Sequence, residues 1–141
     1  VFTFVQFIKE NDDYDYRSHV GPRTFDYIRN NNDAKKKFNF GTRFNQHIEP
    51  HGRYMLEKPA SYKHYPSNEL EQGTVHFKNP LVMPWGGSYN EPTNWKNVLH
   101  KQYGKKGRAL SKALVHKGHD AIITHDPNGH SNEVVDLTMF K

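Results

Sequence analysis

The chain has 141 residues, 34% apolar and 13% aromatic, with no cysteine and a formal net charge of +5 at pH 7. That length suits a single domain spanning residues 1–141, able to remove roughly two thirds of its unfolded surface from water, and the aromatic content argues against a disordered tail. The missing cysteines exclude disulfides and thiolate zinc sites, and no apolar run approaches the roughly 20 residues that span a bilayer, so no membrane partner is expected.

The opening V-F-T-F-V-Q-F-I is β-type, too short and without the basic flank of a signal peptide. A soluble, cytoplasmic protein is therefore expected, and a start at Val1 rather than Met suggests a fragment or processed chain. Y-D-Y-R-S-H follows as a second strand-like run, broken at Gly21-Pro22. T-F-D-Y-I-R (residues 24–29) predicts a helix start capped by Thr24, with Phe25 and Ile28 on one face. Residues 35–52 are basic, aromatic and turn-rich, and read as an ordered loop. Residues 52–56 predict a short strand and P-A-S-Y-K-H-Y a Pro59-started helical turn. Residues 73–83 alternate as a strand ending at Asn79-Pro80.

Two helices are expected next, over residues 93–103 and 107–117, the second with Leu110, Ala113 and Leu114 as its apolar stripe. Gly118 stops it, residues 121–124 form a buried strand, and residues 133–140 close the domain as another. Short strands with interspersed helices and little βαβ alternation predict an α+β fold.

Ten histidines invite a test for metal. His47 and His51 are four apart, but Pro50 between them prevents a regular helix from presenting both. No H-E-x-x-H occurs, and the remaining histidines lack a ligand spacing of known mechanism, so no metal is expected. No G-x-S-x-G elbow supports a serine hydrolase. Twenty Lys and Arg against fifteen Asp and Glu, gathered in K-K-K (residues 35–37) and K-Q-Y-G-K-K-G-R (residues 101–108), raise affinity for polyanions; solvated loops are the simpler reading.

Three stretches taken in order carry more information: Y-D-Y-R-S-H-V-G, then H-G-R-Y-M-L-E-K-P-A-S-Y, then K-G-H-D-A-I-I leading to S-N-E-V-V-D-L. Together with G-T-V-H-F-K-N-P-L-V and Trp95 between them, they resemble the ADP-ribosyltransferase superfamily. The likeness is to its histidine-tyrosine-glutamate branch, which includes phage and bacterial polyvalent-protein and toxin transferases, and it covers most of the chain from Tyr14 onward.

The resemblance implies split antiparallel β-sheets with flanking helices, NAD bound as substrate between two small sheets, and ADP-ribose transferred to a macromolecular acceptor, protein or nucleic acid. It implies a bacterial location, or a host cytoplasm for a delivered effector. His19 matches the residue that orients NAD, with Gly21 for close backbone approach, although Val20 stands where the family usually has His-Gly. Arg17 is the rival on that strand. Tyr54, in H-G-R-Y with Gly52, matches the tyrosine that stacks on nicotinamide, and Ser61 follows in the turn beyond. Charge and loop position make Arg43, Asn45 and Arg53 candidates to face the pyrophosphate.

Glu133 matches the glutamate that opens the closing strand. Breaking the nicotinamide–ribose bond develops positive charge at the sugar, and a carboxylate holding the ribose 2′-OH stabilises that charge most in the transition state. Ser131, two residues earlier, replaces the Gln or Glu expected of enzymes that modify arginine or asparagine. Two alternatives accompany this reading. One is an NAD glycohydrolase or phosphorylase toxin, since G-T-R-F-N before P-H-G-R-Y-M is similar to the pattern of that group; the other is a non-enzymatic basic nucleic-acid-binding module.

Overall fold

The computed structural model describes residues 21–30, 48–58, 70–126 and 132–141. Six strands lie in them: β1 (Arg23–Asn30), β2 (Arg53–Glu57), β3 (Leu70–Phe77), β4 (Leu81–Pro84), β5 (Ala121–His125) and β6 (Glu133–Asp136). Two helices, α1 (Trp95–Tyr103) and α2 (Gly107–His116), connect β4 to β5, and a 3-10 turn (Thr138–Phe140) follows β6. The fold is α+β.

The helix expected at residues 24–29 is instead the middle of β1. From Thr24 to Tyr27 exposed and buried residues alternate, Thr24 and Asp26 outward and Phe25 and Tyr27 inward, before Ile28 and Arg29 are buried as well; that alternation is the period of two of a strand. All eight residues of β1 pair with β3, from Arg23 opposite Phe77 to Asn30 opposite Leu70. Thr, Phe, Tyr and Ile also favour the pleated backbone, so long-range pairing and propensity agree.

The strand expected over residues 73–83 is two strands. Asp120 makes the break: its carboxylate accepts the backbone N–H groups of Lys78 (2.8 Å) and Asn79 (3.1 Å). Those donors are thereby withdrawn from a strand ladder and the chain turns.

The strand order is β3-β1-β2-β6-β5-β4, so β3 and β4 lie at opposite edges although only residues 78–80 separate them. A flat six-stranded sheet is about 24 Å wide at ~4.8 Å per gap, whereas four residue steps reach about 14 Å. The sheet must therefore curl until its edges approach. A buried cluster inside the curl confirms it, joining Phe25, Tyr27 and Phe77 from one half to Val82, Ala121 and Ile123 from the other.

The described strands form one hydrogen-bonded sheet with two curled halves. The split antiparallel sheets with flanking helices that the resemblance implied differ from this arrangement in one respect: β4 pairs with β5 in parallel. A parallel pair needs a long crossover, which the α1–α2 hairpin provides.

The hairpin covers the outer face of the curl. Trp95, Val98 and Leu99 from α1 and Leu110 and Leu114 from α2 pack on Tyr54, Leu81, Met83, Ile122 and Val135 of the sheet. Asn94 caps α1 by accepting the N–H of Lys96 (3.1 Å), and Gly104 ends it in the left-handed region. The closing strand is shorter than expected. β6 stops at Asp136, whose carboxylate accepts both the N–H (2.9 Å) and the hydroxyl (2.7 Å) of Thr138 and so starts the 3-10 turn.

Candidate functional site

β2 and β6 are antiparallel neighbours, with Leu56 opposite Glu133 and Tyr54 opposite Val135. Directly opposed residues share a face, so Tyr54 and Glu133 both project to the side covered by the helices. Thr124 holds the start of β6 in place: its hydroxyl donates to the Glu133 carbonyl (2.8 Å) and accepts from the Glu133 N–H (3.1 Å). The backbone carrying this carboxylate is thus fixed at its first residue.

Residues 48–51 bring a second carboxylate to the same place. The Glu49 carbonyl accepts the N–H of Gly107 (3.0 Å), and the Ser111 hydroxyl donates to the His51 carbonyl (2.5 Å), clamping this segment to the start of α2. Gly107 is needed there, because its φ is +59° and an added Cβ would sit 3.1 Å from the His51 ring. The Glu49 side chain is completely buried. Its Oε2 accepts from Lys96 Nζ at 2.9 Å, the lysine being in the first turn of α1. Lys96 Nζ also lies 5.9 Å from the Tyr54 ring centre and 5.5 Å from that of Trp95, within cation–π range.

The Lys96 ammonium therefore pairs directly with Glu49 and acts on Glu133 through its charge alone. Burial pushes the Glu133 carboxyl above its usual range, and the Lys96 charge draws it partly back. Burial raises Glu49 as well, Lys96 opposes the rise, and the charge of Glu133 adds to it. Burial and then the charges of Glu49 and Glu133 push the Tyr54 phenol well above its ordinary 10.0. Glu133 Oε1 and Glu49 Oε1 are both shielded from solvent and have no hydrogen-bond partner among the described residues. A buried acceptor left in this state costs about 1–3 kcal/mol, and a donor brought by a ligand would recover that energy.

Tyr54 is not placed as its resemblance implied. Its ring is buried within the hydrophobic core and its hydroxyl donates to the Pro50 carbonyl at 2.6 Å. The ring packs in the core and does not present an open face for stacking. Arg53, the residue before Tyr54 in the strand, points to the opposite side of the sheet. It pairs with Glu71, which also accepts from the Tyr27 hydroxyl at 2.9 Å, and lies over the Tyr27 ring. Arg53 and Glu133 therefore face opposite sides of the sheet, because successive strand residues point opposite ways.

Gly52 has a packing role. A Cβ there would come within 2.5 Å of Val135 Cγ1 and 2.8 Å of the Asp136 carbonyl oxygen. Gly21 precedes β1 at φ +99°. His19, Arg17, Arg43, Asn45 and Ser61 lie outside the described residues.

Glu49 and Lys96 escaped the sequence reading. Glu49 sits in I-E-P-H and Lys96 in N-W-K-N, neither with a motif spacing; only the docking of α1 against the sheet brings them together. Among the described residues no group of three His, Asp or Glu is arranged to hold a metal ion, and no helix is long and apolar enough to cross a membrane. No protein-family model, curated protein or solved structure matches the chain.

Proposed function

We propose that the protein cleaves the nicotinamide–ribose bond of NAD and transfers ADP-ribose to a macromolecular acceptor, with Glu133 as the catalytic carboxylate. The observation that carries this reading is the unpartnered, solvent-shielded oxygen of Glu133 at the mouth of β6, joined to the ordered motifs that resemble ADP-ribosyltransferases. In the reaction the bonding pair leaves with nicotinamide, positive charge develops at the ribose C1′, and the acceptor attacks that carbon and loses its proton. A carboxylate accepting the ribose 2′-OH stabilises that charge as it forms. Lys96 is the positioning residue: its charge favours the ionised form of Glu133 against burial.

The test is release of free nicotinamide from NAD by the purified chain, followed over time beside Glu133→Gln. The expected loss is about 10²-fold or more in kcat with NAD affinity retained, the scale of removing one preorganised electrostatic group. Equal turnover by the two proteins would refute the assignment. The fate of labelled ADP-ribose then separates the chemistries: bound to a macromolecule in transfer, free in hydrolysis, phosphorylated at the anomeric carbon in phosphorolysis.

A further inference from the structure

The charge of this protein is concentrated in one place. Residues 92–119 contain seven of the twenty Lys and Arg and none of the fifteen Asp and Glu; the rest of the chain carries thirteen against fifteen. The whole positive excess therefore resides on the α1–α2 hairpin. Lys96 is directed inward to Glu49, whereas Lys101, Lys105, Lys106, Arg108, Lys112 and Lys117 are exposed. The basic run is not a loose loop: it occupies the end of α1, the turn between the helices and the start of α2. Along α2, Leu110, Ser111 and Leu114 are buried, while Arg108, Lys112 and His116 at i, i+4 and i+8 form one exposed row. Its steps are about 6 Å.

We propose that the outer face of this hairpin is a docking surface for nucleic acid. Arg108 and Lys112 on one helix face, with Lys105 and Lys106 in the turn beside them, hold charges at fixed positions, which suits a backbone that carries a charge every ~3.4 Å of each strand. A bilayer surface fits less well. The exposed large apolar side chains among the described residues are Tyr89 and Met139, neither of them on these helices, so the hairpin has nothing to insert beneath lipid headgroups. The surface goes beyond the NAD reading and stands without it. Lys96 in the first turn of α1 connects the two in space, so a polymer docked on the hairpin lies on the same helices that hold the Glu49–Lys96 pair.

The experiment is fluorescence anisotropy of labelled single-stranded and duplex oligonucleotides with the full chain, in the absence of NAD. Neutralising about four phosphates predicts an affinity loss of about 10²-fold between about 50 and about 200 mM salt. Arg108→Glu with Lys112→Glu should weaken binding at least about tenfold and flatten the salt slope by about one per residue. Lys58→Glu, exposed at the end of β2, should leave both nearly unchanged. Thermal melting checks that the variants are folded; if the double variant is not, Lys105→Glu with Lys106→Glu in the interhelical turn carries the same test. Equal weakening by Lys58→Glu, no oligonucleotide binding at the lower salt, or equally tight binding to polyglutamate or phosphatidylserine vesicles would each overturn the proposal. Because NAD is absent, failure here leaves the nicotinamide-release assay untouched, and failure of that assay leaves this one standing.

Discussion

Lys96 Nζ lies 2.9 Å from Glu49 Oε2, a pair assembled from residues 47 positions apart, and the Lys96 charge also acts on Glu133. Glu49 is wholly buried and the Lys96 side chain is 12% exposed, so the pair belongs with buried ion pairs, where removing one partner strands the other. Lys96→Met should destabilise the protein by about 3–5 kcal/mol, read as a lowered urea midpoint at constant m value. Adding Glu49→Gln to that variant should restore part of the loss. A double variant no more stable than Lys96→Met would mean that the pair is not coupled.

The raised carboxyls give stability a definite pH dependence. Glu49 and Glu133 are both held above their ordinary 4.5. Between that pH and their folded values the native state keeps protons that the unfolded chain has released. Unfolding then frees protons, so their contribution is most favourable below pH 4.5 and declines as pH rises through the window. Glu133→Gln removes one such group, and its Tm should fall less than that of the wild type across the same titration. Parallel curves would show that Glu133 ionises alike in both states.

Gly52→Ala tests the seam between the halves of the sheet. The new methyl meets the Asp136 carbonyl oxygen and Val135 Cγ1 well inside contact distance, and the backbone atom has little room to retreat. A loss of about 1–3 kcal/mol is expected, the usual scale of overpacking, with faster hydrogen exchange at the β2–β6 ladder. An unchanged ladder in a stable variant would show that the strands separate at no cost.

Arg53→Ala distinguishes the two faces of β2. Its guanidinium is one-third exposed and engaged with Glu71 away from Glu133, so the substitution should cost about 0–1 kcal/mol and leave the rate of nicotinamide release unaltered. A fall in NAD affinity for this variant would place the pyrophosphate on the face that the strand alternation assigns to the inner core.

Much of this protein was legible from residue order alone. The helices at residues 95–103 and 107–116 and the strands at 53–57 and 121–125 follow from local signals that need no partner: an apolar stripe, a stop at Gly118, and short apolar runs bounded by turn residues. The α+β class follows from the order of those elements. Other features depend on distant contacts. Residues 24–29 satisfy a helix pattern and a strand pattern almost equally, and pairing with β3 decides between them. The strand break after Phe77 depends on a carboxylate more than 40 residues away. The curl arises because a three-residue turn must join opposite edges of the sheet.

The same division holds for the candidate site. Glu133 could be singled out from its motif and from the chemistry of a carboxylate at a strand mouth. Its relation to the Glu49–Lys96 pair, the burial of Tyr54 and the turning away of Arg53 could not, because burial and ion pairing are properties of packed surfaces. Sequence determined which groups were available for chemistry; the docking of α1 against the sheet decided which of them are withdrawn from water together, where the Lys96 ammonium pairs with Glu49 and its charge reaches Glu133.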